Sequence, residues 1–295
     1  MTVGESPSTP LSTPVDGVDV LGAISPSRAG DFMACPLMYR FRTIDRLPEP
    51  FSPDAVRGTL IHKVLEDLFD LPAGDRTPDE AAAMLAPTWA SLLEAEPELA
   101  EMFTGEGPDV TAWLASARDV LERYFSLEDP RLLEPAEREL YVETLLDSKL
   151  LLRGFVDRLD VAPDGRMRVV DYKSGSAPGE IWEAKALFQM KFYALVLWRT
   201  RGALPAMLQL VYLGSGEMLR YVPDEQDLLA TERKVEAIWQ AIARATESGD
   251  WRPHRSRLCD WCSFQEICPE FGGTPPPLPE RPAADPGDLT AEDVD

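Results

Sequence analysis

The residues best suited to chemistry lie in two runs, Leu151-Leu-Arg-Gly154-Phe-Val-Asp157-Arg-Leu-Asp160 and Arg168-Val-Val-Asp171-Tyr172-Lys173-Ser-Gly175. Each reads as an apolar strand, and Pro163-Asp164-Gly165 between them is a tight-turn signal, so an antiparallel hairpin is expected. Successive strand side chains alternate faces, which puts Asp171 and Lys173 on one side. With Asp157 near the end of the first strand, two carboxylates and an ammonium group converge on one patch. Charges beside a Val-Val pair are costly to bury unless something compensates them. Two compensations are open: a structural Asp171–Lys173 salt bridge, or a site for Mg²⁺ or Mn²⁺ in which Lys173 orients or activates a water. This stretch alone does not choose between them.

The elements that must position this patch read as follows. Ser25 can cap a helix with Pro26 in its first turn, leading to Cys35-Pro36 and the aromatic and basic run Tyr39-Arg-Phe-Arg42. A second helix, about Asp54 to Asp70, buries Ile61, Val64, Leu65 and Leu68 at helical spacing. His62 and Glu66 share a neighbouring face, although a lone helical histidine is more often structural than a ligand. Residues 78–130 read as an acidic helical insertion over one side of the core, with no catalytic grouping. Glu139 to Leu146 reads as a strand leading into the hairpin. After the hairpin come a helix from about Ile181 to Arg201, strands Met207–Tyr212 and Met218–Val222, and a helix from about Gln226 to Glu247. Gln189 and Tyr193 share a face of the first of these helices, at the core edge or against a substrate phosphate.

Composition sets bounds. A chain of 295 residues with 44% hydrophobic content can bury one substantial core, and it holds no apolar run long enough to span a membrane. The N-terminus is polar, with no basic residue before Arg28, which argues against a signal peptide and for a cytoplasmic location. A net charge of −22 argues against a generic nucleic-acid binder. Most of it is peripheral: residues 76–130 hold twelve acids against three arginines, and residues 1–24 and 272–295 add nine acids against Arg281. Those two ends are low in complexity and are expected to be disordered tails flanking a folded unit over 25–271.

Three of the four cysteines, Cys259, Cys262 and Cys268, fall within residues 257–269, and Cys35 lies near the N-terminus. In a cytoplasmic chain such a set reads as a metal site before a disulfide. Four thiolates suit zinc or an iron–sulfur cluster, and the absence of histidine within residues 257–269 together with the Cys-Pro pairs favours [4Fe–4S].

The ordered set of motifs resembles the RecB-family exonucleases of the PD-(D/E)xK nuclease superfamily. The likeness is to the iron–sulfur members, such as CRISPR-associated adaptation nucleases and the AddB nuclease domain. It rests on Cys35-Pro36, the Gly58…His62…Leu65-Glu66 helix, Gly154-x-x-Asp157-Arg158, Asp171-Tyr172-Lys173-Ser-Gly175, Gln189-x-x-x-Tyr193 and the three C-terminal cysteines. The resemblance implies an α/β restriction-endonuclease-like core, a mixed β-sheet flanked by helices. It implies a metal held by His62, Asp157, Asp171 and the Tyr172 carbonyl, with Lys173, Asp171 and Asp157 catalytic. Gln189 and Tyr193 would bind substrate, and Glu139 would be an outer-sphere residue. Cys35, Cys259, Cys262 and Cys268 would hold a [4Fe–4S] staple, with structural Zn²⁺ the alternative. One histidine among oxygen ligands favours Mn²⁺.

The function so implied is a metal-dependent DNA exonuclease acting on single-stranded DNA or DNA ends in repair or recombination. The alternative is a non-catalytic DNA-binding or scaffold protein that keeps the fold, against which the intact His-Asp-Asp-Lys set argues. The chain has no Gly-x-x-x-x-Gly-Lys-Ser/Thr loop, so a helicase acting with it would be a separate partner.

Overall fold

The computed structural model describes residues 20–105, 107–177 and 180–279, with backbone alone for 180–183. Order begins before Ser25, with a short strand β1 (Gly22–Ile24) that pairs in parallel with the start of β3, Gly22 opposite Leu150. A three-residue strand is too short to show a period in sequence. Its backbone gains ladder hydrogen bonds, and Val20 and Ile24 are buried beside it. Gly22 is needed here because a Cβ would lie 2.1 Å from the Trp239 ring. At the other end residues 272–279 also belong to the described fold, where Arg40 donates to the Pro276 carbonyl at 2.5 Å. The remainder of both expected tails, 1–19 and 280–295, lies outside the described residues.

Helix α1 (Pro26–Ala34) starts as its sequence indicates, the Ser25 hydroxyl accepting from the Arg28 N–H at 3.3 Å. Cys35 stops it and Pro36 opens the short α2 (Pro36–Tyr39), which runs into a π-helical turn over Arg40–Ile44. Then follow α3 (Pro53–Leu68), α4 (Pro78–Ala95) and α5 (Val110–Leu127), capped by Ser52, Thr77 and Asp109. Next come β2 (Glu137–Leu145), β3 (Leu150–Val161), β4 (Met167–Lys173) and α6 (Glu180–Arg201). β5 (Met207–Tyr212), β6 (Glu217–Tyr221) and α7 (Glu225–Ser248) complete the core, before 3₁₀ turns carry the last cysteines. Among the described residues no helix is long and apolar enough to cross a membrane.

The strands form one mixed sheet in the order β1-β3-β4-β5-β6, with β2 also paired to β3. Gly165, at φ 84°, closes the β3–β4 hairpin, and α6 makes the crossover from β4 to its parallel neighbour β5. Alternation along β4 sends Val169 into a core with α1, α6 and α7, and Val170 and Tyr172 into a second core with α3, α4 and α5. The mixed sheet flanked by helices is therefore the layered α/β core expected. The acidic region 78–130 is more than an outer cover: Trp113, Leu121 and Tyr124 of α5 complete the second core.

Electrostatics fasten that layer. Arg158, 1% exposed, forks onto Glu128 at 2.8 and 3.0 Å, meets Asp160 at 3.1 Å and donates to the Tyr172 hydroxyl. Gln209 of β5 also donates to Glu128, at 2.9 Å. Burial alone would lower the Arg158 pKa, but Tyr172, Glu128 and Asp160 raise it overall. This network lies on the face of β4 opposite Asp171 and Lys173, so it holds the site's floor from behind.

Candidate active site

Both ladders that flank β3 open at Asp157. On the β2 side Arg138 pairs with Arg158 and Leu140 with Val156, while Glu139, opposite Asp157, stands out of the ladder with φ of 42°. A left-handed non-glycine backbone costs of order 1–3 kcal/mol, so the surrounding sheet must hold it there. On the β4 side the ladder ends at Arg158–Val170, one pair short of Asp157–Asp171. In place of a strand bond, Asp157 Oδ2 accepts from the Tyr172 N–H at 2.6 Å. The sheet thus opens where its acids are concentrated.

Helix α3 brings His62 over this opening. Its Nδ1 lies 3.5 Å from Asp157 Oδ2, and its ring stands edge-on to Tyr172 at 6.1 Å. One ligand atom from each of His62, Glu139 and Asp157 lies within 4.8 Å of the others. Asp171, 2% exposed, directs Oδ2 to within 2.8 Å of Lys173 Nζ without an aligned hydrogen bond. Lys173 donates instead to Gln189 Oε1 at 2.9 Å, and Gln189 donates to the Tyr193 hydroxyl at 3.2 Å. Tyr193 is 4% exposed, its ring against Gly154, where a Cβ would lie 2.7 Å from Cε1.

Burial pushes the Asp157 carboxyl up to about 6, with Asp171 adding to the rise and His62, Lys173 and the Tyr172 N–H opposing it. At Lys173 burial works to lower the pKa, but the Asp171 and Asp157 carboxylates outweigh it and the value is raised. Lys173 is therefore a charged ammonium near neutrality, suited to steadying negative charge or orienting water and unsuited to taking a proton. A cleft of about 920 Å³ exposes these groups, with Lys63 and Lys185 also on its walls.

The donors present fit a hard divalent cation: an imidazole nitrogen and carboxylate oxygens, beside a buried Asp171 oxygen that lacks a hydrogen-bond partner. Against expectation, Glu139 rather than Asp171 joins His62 and Asp157 in the close set, and Asp171 is drawn toward Lys173. The positive φ of Glu139, which turns the chain there, has no sequence signature in a glutamate. Gln189 and Tyr193 both line the cleft beside Lys173, joined to it by that chain of hydrogen bonds. The Tyr172 N–H is committed to Asp157 and its phenol faces the opposite core. Lys185, exposed at the cleft, carried no motif that marked it.

The four cysteines are free, half-buried thiols. The two segments that carry them do meet: Cys35 Sγ accepts from the His254 N–H at 3.3 Å. Cys268 is raised by burial and then by the nearby Cys35, Cys262 and Cys259. No three of their sulfurs lie within 4.8 Å of one another, so they are not gathered around one shared metal ion. A single tetrahedral zinc ion, with Zn–S bonds of about 2.3 Å, would need them closer. Packing closes this corner, with Tyr39 stacked on Trp251 at 5.9 Å and Phe41 against Phe264 at 5.1 Å.

Gene 69 protein of Mycobacterium phage D29 is 28% identical over 277 residues, covering 84% of this chain and 96% of that protein. In structure, the chain is similar to a protein from Eubacterium rectale provisionally described as an exonuclease. The TM-score is 0.51 at 13% identity, over 82% of this chain and 86% of that one, a likeness of fold alone. The sequence profile of the PD-(D/E)XK nuclease superfamily matches residues 23–269. That span runs from β1 past the last cysteine and includes every side chain of the cleft: this chain belongs to the PD-(D/E)XK nuclease superfamily.

Proposed function

We propose that this protein is a metal-dependent deoxyribonuclease of RecB type, hydrolysing phosphodiester bonds in single-stranded DNA or at DNA ends. The observation that carries this reading is the meeting of His62, Glu139 and Asp157 donor atoms within 4.8 Å, beside the Asp171–Lys173 pair, in an open cleft. His62, Glu139, Asp157 and Asp171 would hold Mg²⁺ or Mn²⁺. Such an ion, when bound, neutralises charge on the phosphate oxygens and lowers the pKa of water. Lys173 presents its ammonium to the phosphate and the attacking water, at an orientation set by Gln189, which Tyr193 holds in turn. Lys63 and Lys185 offset the carboxylates for an approaching polyanion.

An iron–sulfur staple at Cys35, Cys259, Cys262 and Cys268 is part of this proposal. It is supported by the four-thiol donor set and by N–H groups of His254 and Ser256 directed at two of the sulfurs. Each thiolate of such a cluster binds a different iron, so the four need not crowd one point, and anaerobically purified protein absorbing near 400 nm is the test. The catalytic reading is tested by degradation of end-labelled linear and circular DNA with each metal. Degradation of linear substrate that Asp171→Ala abolishes supports it; metal-independent or absent cleavage overturns it.

A further inference from the structure

A second hollow, about 600 Å³, lies beside the cleft between α1 and α7, lined by Phe32, Met33, Pro36, Lys234, Arg252 and His254. One contact runs from the wall of the groove to the wall of the cleft. Lys234 Nζ in the groove sits 4.6 Å from the centroid of Phe188, whose side chain lines the cleft. The stem of Lys185, also on the cleft wall, crosses α1 at Gly30, where a Cβ would lie 3.1 Å from its Cε. Helix α1 presents Asp31 to the cleft and Phe32 and Met33 to the groove. At the far end Pro36 and His254 border the cysteine corner, and that corner carries Trp261, 78% exposed, on one 3₁₀ turn with Arg257.

The chemistry of this surface is specific. The chain has a net charge of −22, yet of its six lysines Lys63, Lys173 and Lys185 line the cleft and Lys234 lines the groove. From Trp251 to Cys259 there are three arginines, one histidine and no acid, although Arg252 is paired with Asp250 at 2.7 Å. An exposed indole next to spaced cations suits unpaired bases on a phosphate backbone, since base faces stack on aromatics and phosphates follow the charges. A duplex would keep its bases from Trp261.

Resting on the nuclease reading above, we propose that the α1–α7 groove and Trp261 form a track for single-stranded DNA extending beyond the scissile phosphate. Lys185 and Lys234 take backbone phosphates, and Trp261 stacks on a base. Helix α1 is about 14 Å long at 1.5 Å per residue, so the track accommodates a few nucleotides beyond the cleft.

The test is fluorescence anisotropy of labelled dT12, with dT3 by competition, on the full chain carrying Lys173→Ala to suppress cleavage, in Mn²⁺. Trp261→Ala and Lys234→Glu should each weaken dT12 binding by about tenfold and leave dT3 unchanged. Lys234→Gln should lower the salt slope of dT12 binding by about 0.7. Both positions are exposed, so an unchanged melting temperature verifies the fold. Unchanged dT12 affinity in both variants, or equal losses on dT3, overturns the track. The binding readout does not need cleavage. Wild-type cleavage with unaffected variants removes the track and leaves the nuclease, whereas lost variant binding without wild-type cleavage does the reverse.

Discussion

Asp157 Oδ2 accepts the Tyr172 N–H at 2.6 Å, at the point where the β3–β4 ladder would have continued to an Asp157–Asp171 pair. A carboxylate thus replaces a backbone acceptor, and the strands part just enough to place two acids side by side. On the other side of β3, the turned-out Glu139 does the same to the β2 ladder. The site is made by interrupting the sheet at one residue from both sides.

Burial holds Asp157 up at about 6, above its ordinary 3.8. A raised folded value means the folded protein binds the proton more tightly. The contribution to metal-free stability is full below about 3.8 and is lost as pH rises through about 6. Metal binding needs the carboxylate, so the rise in melting temperature with Mn²⁺ should be small at pH 5 and grow through pH 6 to a plateau near pH 7.5. A Mn²⁺ increment equal at pH 5 and pH 7.5 would count against Asp157 as a ligand.

Glu139→Gln keeps the shape of the side chain and removes its charge. Isothermal titration with Mn²⁺ should show affinity reduced by about 10–100-fold, the range known even for residues behind direct ligands. Wild-type affinity in this variant would remove Glu139 from the metal site altogether.

On the reading proposed above, the hydrogen-bonded chain from Lys173 through Gln189 to Tyr193 orients the ammonium group. Gln189→Ala should lower kcat by about tenfold with little change in KM, and Tyr193→Phe, which removes one hydrogen bond worth about 1 kcal/mol, should lower it severalfold. A rise in KM at constant kcat would show instead that the pair binds substrate.

Removing Arg158 leaves the buried Glu128 without its cation, while Asp160 keeps Arg168 at 2.7 Å. Arg158→Met should cost about 3–5 kcal/mol of stability in urea titration, and adding Glu128→Gln should recover part of it. A loss below 1 kcal/mol would mean that the network does not fasten α5 to the sheet.

The hairpin, the crossover helix and the capped helices were legible because each carries a local signal: a Pro-Asp-Gly turn, an apolar period, or a serine before a proline. His62, Asp157, Asp171 and Lys173 were legible as charged groups in apolar runs. Glu139 was underweighted because its role depends on a positive φ imposed by the opened ladder, which no local pattern encodes. β1 was missed because three residues cannot show alternation, and its pairing partner lies more than a hundred residues away. The cysteine motif was a signal that the segment at Cys35 meets the one leading to Cys259. The aromatic packing beside the cysteines, Tyr39 on Trp251 and Phe41 on Phe264, is invisible to a motif.

The measurement that bears most directly on the cleft is the Mn²⁺-dependent release of nucleotides from end-labelled linear single-stranded DNA, comparing wild type with Asp171→Ala and Lys173→Ala. The wild type should degrade the substrate, and the Lys173 variant should be slower by about 10²–10³-fold, as for loss of one preorganised donor. The Asp171 variant should be inactive with an unchanged melting temperature. Full activity in a clean Asp171→Ala preparation would contradict the assignment of this cleft as the nuclease site.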